Sequence, residues 1–249
     1  MLGWTMYDDN PLAVAVVADG SNLYELHSSG TIWKSTGVPC TGTSCPGWTE
    51  LDDSQLAVAI AASGGNLYEL HDSGTIWQWT GVACTGSSCP VWTELDNNPL
   101  TVAIAADGSN LYQLHNTGSI WKSTGVACSG GSCPGWTELD NNPAAVAIAA
   151  SGGNLYELHN NGQIFKWTGV ACTGGSCPGW TKLDDNPLGA AIVADGSNLY
   201  ELHSNGAIWK STGEACTPTS CPGWTLYDDN SLTTQIVAGG QLYQLHGRR

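Results

Sequence analysis

Apolar and polar positions in this chain alternate in short runs, and no run sustains a helical period. One stretch shows the pattern. "WTEL" (Trp48–Leu51) is short. "AVAIAA" (Ala57–Ala62) is small, apolar and uncharged. "LYELH" (Leu67–His71) alternates with period two, as a strand with unlike surroundings on its two faces does. "IWQWT" (Ile76–Thr80) is rich in β-branched and aromatic residues, which favour strands. Between these runs lie "DDSQ", "SGGN" and "DSGT", turn sequences by their Asp, Asn and Gly content. The pattern predicts four short strands joined by tight turns.

The same pattern recurs along the whole chain. Trp4, Trp48, Trp92, Trp136, Trp180 and Trp224 are each 44 residues apart, and the Leu-Tyr-Glu/Gln-Leu-His segment keeps the same step from Tyr24 to Tyr200 and comes one residue early at Tyr243. Four strands in about 40–45 residues is the length class of a propeller blade. The small Ala-rich strand suits the crowded inner position, and the bulky Trp and Tyr suit the wider rim. A stack of flat hairpins is the alternative. We therefore expect a single all-β domain over 1–249, with repeats 4–47, 48–91, 92–135, 136–179, 180–223 and a partial 224–249. The expected fold is a six-bladed β-propeller. Its last blade is closed by both termini, either with three strands or with Gly3–Tyr7 moved in beside Leu242–His246. Five blades with extra terminal strands is the alternative. A second pattern favours six. "ADGSN" and "ASGGN" hairpins alternate, and "IWKST" alternates with "IWQWT" or "IFKWT", so the true period is 88 residues.

Charge narrows the function. Seven Lys and Arg face 22 Asp and Glu, a net charge of −15. Nucleic-acid binding rests on neutralising phosphates and is excluded as an expectation. An anionic membrane surface is disfavoured for the same reason, and no run reaches transmembrane length. The first residues carry no charged-then-apolar leader pattern.

The ten cysteines form five C-x4-C pairs: Cys40 and Cys45, Cys84 and Cys89, Cys128 and Cys133, Cys172 and Cys177, Cys216 and Cys221. A tetrahedral zinc site needs four converging ligands, and one pair supplies two. Five local disulfides are expected instead, each closing the loop between an Ile-Trp strand and the next Trp-Thr strand. Each contributes roughly 2 kcal/mol by loop-closure entropy. Disulfides point to an oxidising, extracellular or cell-surface setting.

Every chemically notable residue is repeated, whereas a catalytic constellation is asymmetric and occurs once. No lone nucleophile with its own base stands out, so no enzymatic activity, cofactor or metal is expected. The histidines, His27, His71, His115, His159, His203 and His246, read as strand caps bonded to a turn. Strand order nonetheless puts the His turns and the Asp-Asn-Pro turns at one face. That face gathers His27, His71, His115, His159 and His203 with Asp52, Asp96, Asp140, Asp184 and Asp228. Trp33, Trp77, Trp121, Phe165 and Trp209 start the following strands. Carboxylates beside an aromatic ring suit a sugar, whose hydroxyls bond the polar groups while its apolar face packs on the ring. Glycans, bound multivalently by a monomer, are the first expected partner, and a protein partner of a structural or interaction propeller is the alternative. If Asp19, Asp107 and Asp195 of the alternating hairpins take part, binding should occur three times per chain.

The unit Gly-Trp-Thr-x-Leu, an apolar strand ending in Ala-Asp-Gly, Leu-Tyr-x-Leu and Ile-Trp-Lys-x-Thr-Gly resembles the tectonin repeat over nearly the whole chain. The resemblance implies a six-bladed propeller binding glycans in clefts between blades, without catalysis. The cysteine loop and the Leu-His strand end depart from that pattern.

Overall fold

The computed structural model describes residues 6–41, 44–86, 88–90, 92–238 and 242–246. The fold is an all-β β-propeller type with five four-stranded antiparallel blades and a final strand pair. The first blade holds β1 (Ala13–Asp19), β2 (Asn22–His27), β3 (Ile32–Ser35) and β4 (Trp48–Asp52). The second holds β5 (Ala57–Ser63), β6 (Asn66–His71), β7 (Ile76–Gln78) and β8 (Thr93–Asp96). The third holds β9 (Thr101–Asp107), β10 (Asn110–His115), β11 (Ile120–Ser123) and β12 (Trp136–Asp140). The fourth holds β13 (Ala145–Ser151), β14 (Asn154–His159), β15 (Ile164–Trp167) and β16 (Trp180–Asp184). The fifth holds β17 (Gly189–Asp195), β18 (Asn198–His203), β19 (Ile208–Ser211) and β20 (Trp224–Asp228). β21 (Thr233–Ala238) and β22 (Leu242–His246) form the final pair.

Each Trp-Thr strand is the fourth strand of the blade that precedes it in sequence, so a blade is offset from the 44-residue repeat by one strand. The chain divides into two compact units, Met1–Pro99 with Ala127–Pro134, and Leu100–Val126 with Gly135–Arg249. In the first unit β1 lies against β5. In the second, β9, β13, β17 and β21 lie each against the next. The first strands of successive blades thus meet one another within each unit.

The core is built between successive blades. Tyr24, Leu26, Ile32 and Leu51 of the first blade pack on Ile60, Leu67 and Trp92 of the second. In the second unit, Tyr156, Leu158, Ile164 and Leu183 meet Ile192, Leu199 and Trp224 in the same way. A tryptophan locks each of these interfaces. The indole of Trp92 donates to the Leu51 carbonyl, Trp180 to Leu139 and Trp224 to Leu183, at 3.3, 2.9 and 2.9 Å.

The six-bladed expectation is corrected. Among the described residues, β22 pairs with β21 alone. The alternative of five blades with extra terminal strands holds. Gly3–Thr5 of the expected N-terminal strand lie outside the described residues. Met6 accepts from the Cys40 amide and Tyr7 from the Trp48 indole, both at 2.9 Å. These bonds repeat those that Glu50 and Leu51 make to Cys84 and Trp92, so Met6 and Tyr7 take the place of a fourth strand ahead of the first blade.

All five cysteine pairs are disulfides. In four of the loops a short bridge, such as Thr85 with Ser88, closes the turn.

Candidate functional site

The first-to-fourth strand registers set four side chains in a row on one face of each blade. In the second blade the row is Ile60, Glu69, Trp77 and Glu94. In the first it is Val16, Glu25, Trp33 and Glu50; in the third, Ile104, Gln113, Trp121 and Glu138. The fourth carries Ile148, Glu157, Phe165 and Lys182, the fifth Ile192, Glu201, Trp209 and Leu226. The histidine lies two residues beyond the glutamate on the same strand, hence on the same face.

His27, His71, His115, His159 and His203 are all buried. The His71 and His159 Nε2 atoms sit 3.0 Å from Glu69 and Glu157, His203 lies 3.2 Å from Glu201, and His27 bonds Glu25. The imidazoles also stack on the aromatic residue: His27 on Trp33, His71 on Trp77, His115 on Trp121 and His203 on Trp209, at 5.7–5.9 Å between ring centres. His159 tilts against Phe165 at 4.6 Å. The backbone of each histidine does cap the strand: Gly30 donates to the His27 carbonyl, and Gly74 to that of His71. The side chain turns inward instead, and His115 also reaches a turn hydroxyl, Ser119 at 3.2 Å. His246 of the final pair is exposed and lies 3.1 Å from the Asn230 amide.

The aspartates lie at the end of each fourth strand. Asp52, Asp96, Asp140 and Asp184 are buried; Asp228 is half-buried. Their carboxylates accept from the turn that follows: Asp52 from Ser54, Asp140 from Asn142 and Asp184 from Asn186, at 2.9–3.0 Å. The His and Asp turns do share one end of the sheets, since Asp72 donates to Leu56, Asn160 to Ala144 and Ser204 to Leu188. The approach is tight: a Cβ on Gly162, which has φ +84°, would meet the Asn186 carbonyl.

Burial sets the protonation of this layer. Desolvation, then the charge of Asp184 in the preceding blade, pushes Glu201 up to about 9. Burial likewise raises Glu69 and Glu157, with Asp52 and Asp140 adding to it and the histidine bonds opposing it. Burial lowers His203 and His115. The Glu201–His203 pair is therefore a neutral acid beside a neutral imidazole, which avoids two desolvated charges. A polar pair at rest in its neutral form, held between packed blades, positions the indole above it.

The indoles of Trp33, Trp77, Trp121 and Trp209 are half-buried. Three of them donate Nε1 to a turn hydroxyl, Trp33 to Thr31, Trp77 to Thr75 and Trp121 to Ser119, at 3.1–3.2 Å. The fifth blade has Ala207 at that position, and the Trp209 Nε1 is buried without a partner. Half-buried Glu50, Glu94 and Glu138 stand directly across the strand from Trp33, Trp77 and Trp121. The fourth blade sets Lys182 over the Phe165 ring at 5.9 Å, and the fifth sets Leu226 there. These cross-strand glutamates, like the buried Glu25, Glu69, Glu157 and Glu201, were not among the sequence candidates. A Glu two residues before His on a strand was the available signal for the second group; the first needed the register.

Where a cysteine pair lies beside a carboxylate, as Cys84 and Cys89 beside Glu50, the sulfurs are committed to an S–S bond and offer no thiolate.

No family model and no curated protein sequence matches the chain. Solved structures do. Prp20p from Saccharomyces cerevisiae, solved in work on its binding to Gsp1p and histones, superposes with a TM-score of 0.61 at 14% identity, over 92% of this chain and 67% of that one. Human WBSCR16 gives 0.61 at 10% identity, over 91% and 72%. A chain of the nidogen–laminin complex gives 0.54 at 13% identity, over 88% and 85%. At these identities the likeness is one of fold, and the fold hosts unrelated functions.

Proposed function

We propose that the protein is a non-catalytic, multivalent carbohydrate-binding protein of an oxidising, extracellular setting. The observation that carries this reading is the indole–carboxylate pair repeated in three blades: Trp33 with Glu50, Trp77 with Glu94 and Trp121 with Glu138. A half-buried indole packs on the apolar face of a pyranose, and the neighbouring carboxylate accepts from its hydroxyls. The buried histidines and aspartates hold the indole and the turns in place. The fourth and fifth blades, with Lys182 and Leu226 in place of the glutamate, lack the acceptor. Three equivalent sites follow, and rigid linkage raises avidity without new contacts. The tectonin-like motifs and the five disulfides support the same reading.

The test is a glycan array with the oxidised protein, followed by calorimetric titration of any hit. The expected stoichiometry is three per chain, and Trp77→Ala and Trp121→Ala should each remove one site. A blank array on a folded, fully disulfide-bonded sample refutes the reading. A protein-interaction role is the second reading, favoured by the uncovered strand edge described next.

A further inference from the structure

Among the described residues, β22 is bonded on one side only, whereas the second strands of the five blades are bonded on both. In the fifth blade β18 is bonded on both sides, to β17 and to β19; β22 is bonded on one side, to β21. The side chains differ to match. Tyr200 and Leu202 are 7% and 4% exposed, whereas their counterparts Tyr243 and Leu245 are 45% and 60% exposed. The neighbouring fourth strand is uncovered too. Leu139 and Leu183 lie beneath the indoles of Trp180 and Trp224, but Tyr227 at the same position of β20 is 57% exposed and Leu226 beside it 52%. β20 and β22 thus each carry exposed apolar side chains, and among the described residues one side of β22 has no strand partner.

We propose that this edge captures an extended strand from a partner protein, by β-augmentation. The other blades show what fits. Opposite Tyr200, Glu201 and Leu202 stand Lys210, Trp209 and Ile208. Transferred to β22, the register asks for a lysine or arginine opposite Tyr243, an aromatic residue opposite Gln244 and a β-branched residue opposite Leu245. The basic residue would lie over Tyr243 as Lys210 lies over Tyr200 at 5.5 Å. It also suits a chain of net charge −15. A second copy is a poor donor. Its strands of this type, such as β3 and β11, are each bonded on both sides within their own sheets, so one would have to leave its blade.

The probe is a synthetic peptide of residues 30–37, Gly-Thr-Ile-Trp-Lys-Ser-Thr-Gly, with a scrambled peptide as control. We expect saturable binding with Kd below about 1 mM, and slowed amide exchange within Leu242–His246. Leu245→Asp, at an exposed position that leaves the fold intact, should weaken binding at least about tenfold. Absence of saturation, equal binding of the scrambled peptide, protection outside β20–β22, or unchanged affinity of Leu245→Asp would each overturn the proposal. So would a dimer of the free protein with β22 protected, which would assign the edge to a second copy. None of these readouts depends on glycan binding.

Discussion

The interface between the third and fourth blades and that between the fourth and fifth share a core but not their edges. In both, an indole donates to a leucine carbonyl, Trp180 to Leu139 and Trp224 to Leu183. In both, burial and then an aspartate of the preceding blade raise a buried glutamate, Asp140 acting on Glu157 and Asp184 on Glu201. The differences lie outside this centre. Between the third and fourth blades, Lys122 sits between Tyr112 at 5.8 Å and Trp167 at 5.5 Å. At the hairpin end, Asp107 accepts from the Gly153 amide at 2.6 Å. Between the fourth and fifth, Lys166 has Tyr156 at 5.9 Å, and Ser211 stands where Trp167 stood. The hairpin bond there runs from the Gly196 amide to Ser151, at 2.8 Å. The first two blades repeat the former kind, with Lys34 between Tyr24 and Trp79 and with Asp19 accepting from Gly64 and Gly65. The 88-residue period is therefore a structural one: an odd blade and the even blade after it form a more heavily bonded pair. Asp19 and Asp107, which the sequence alone offered as possible ligand groups, have backbone partners in the next blade.

The largest effect should come from the part that both interfaces share. Glu157→Ala and Glu201→Ala each leave an imidazole without its carboxyl and open a cavity. Each should cost about 3 kcal/mol, and the two costs should agree within about 1 kcal/mol, read from urea midpoints of the oxidised protein. A large inequality would mean that the outer contacts, not the core, govern the interface. Glu157→Gln should cost less, because the third blade already carries buried Gln113 there, bonded to Thr101 at 2.6 Å.

The same layer predicts a pH dependence of definite sign. Glu201 lies above its ordinary value of 4.5, at about 9, so the folded protein holds that proton where the unfolded chain has released it. Its contribution is complete below about pH 4.5 and is lost as pH rises toward about 9. Glu69 and Glu157 shift in the same direction. The melting temperature should fall from pH 5 to pH 9, and Glu201→Gln should flatten that slope. A slope unchanged in the variant would assign the dependence to the net charge of −15 instead.

Much of the fold was legible because each blade obeys local rules. The constant 44-residue step, the Gly-containing turns and the period-two "LYELH" fix four strands per repeat, and the C-x4-C spacing fixes the disulfides. What was not legible lies between blades. The outermost place of the Trp-Thr strand could be read from the Ala-rich inner strand and the cysteine loop, and the sheet order agrees, but which residues of successive blades meet could not. The candidate site was read as a polar surface. His71 and Asp52 instead face inward, because the row that sets Glu69 beside Trp77 also packs it against the preceding blade. The partners of Asp107 and Lys122 are 46 and 45 residues away, so the alternation was visible as a pattern before its cause could be seen.

A smaller effect should separate the two interfaces. Trp167→Ser gives the fourth blade the residue of its odd neighbours and removes one aromatic wall around Lys122. The expected loss is about 1–2 kcal/mol. Lys122→Ala in the Trp167→Ser background should cost less than in the wild type, since of its two ring contacts only that to Tyr112 is left to lose, and a double-mutant cycle measures this. If the two losses simply add, the cation–aromatic contact is not what joins the odd blade to the even one.

The smallest change asks whether the alternating hairpin serves the fold or a ligand. Asp107→Ala removes a charge-assisted acceptor at an exposed edge and should cost about 0.5–1.5 kcal/mol. Ser151→Ala removes a neutral one and should cost about half as much. At one point the hairpins approach closely: Gly152, at φ +61°, would place a Cβ 2.5 Å from the Gly196 carbonyl carbon. The loss should therefore appear locally, as faster exchange of the Gly153 amide in Asp107→Ala and of the Gly196 amide in Ser151→Ala. Asp107→Asn, which keeps the acceptor oxygen, should restore most of the protection. If Asp107→Ala left exchange and stability untouched but lowered the number of glycans bound, the carboxylate would belong to a ligand site, and the two-blade period would record selection for binding. Accelerated exchange with binding intact assigns the period to the interface, because the bond lost is the one to the backbone of the next blade.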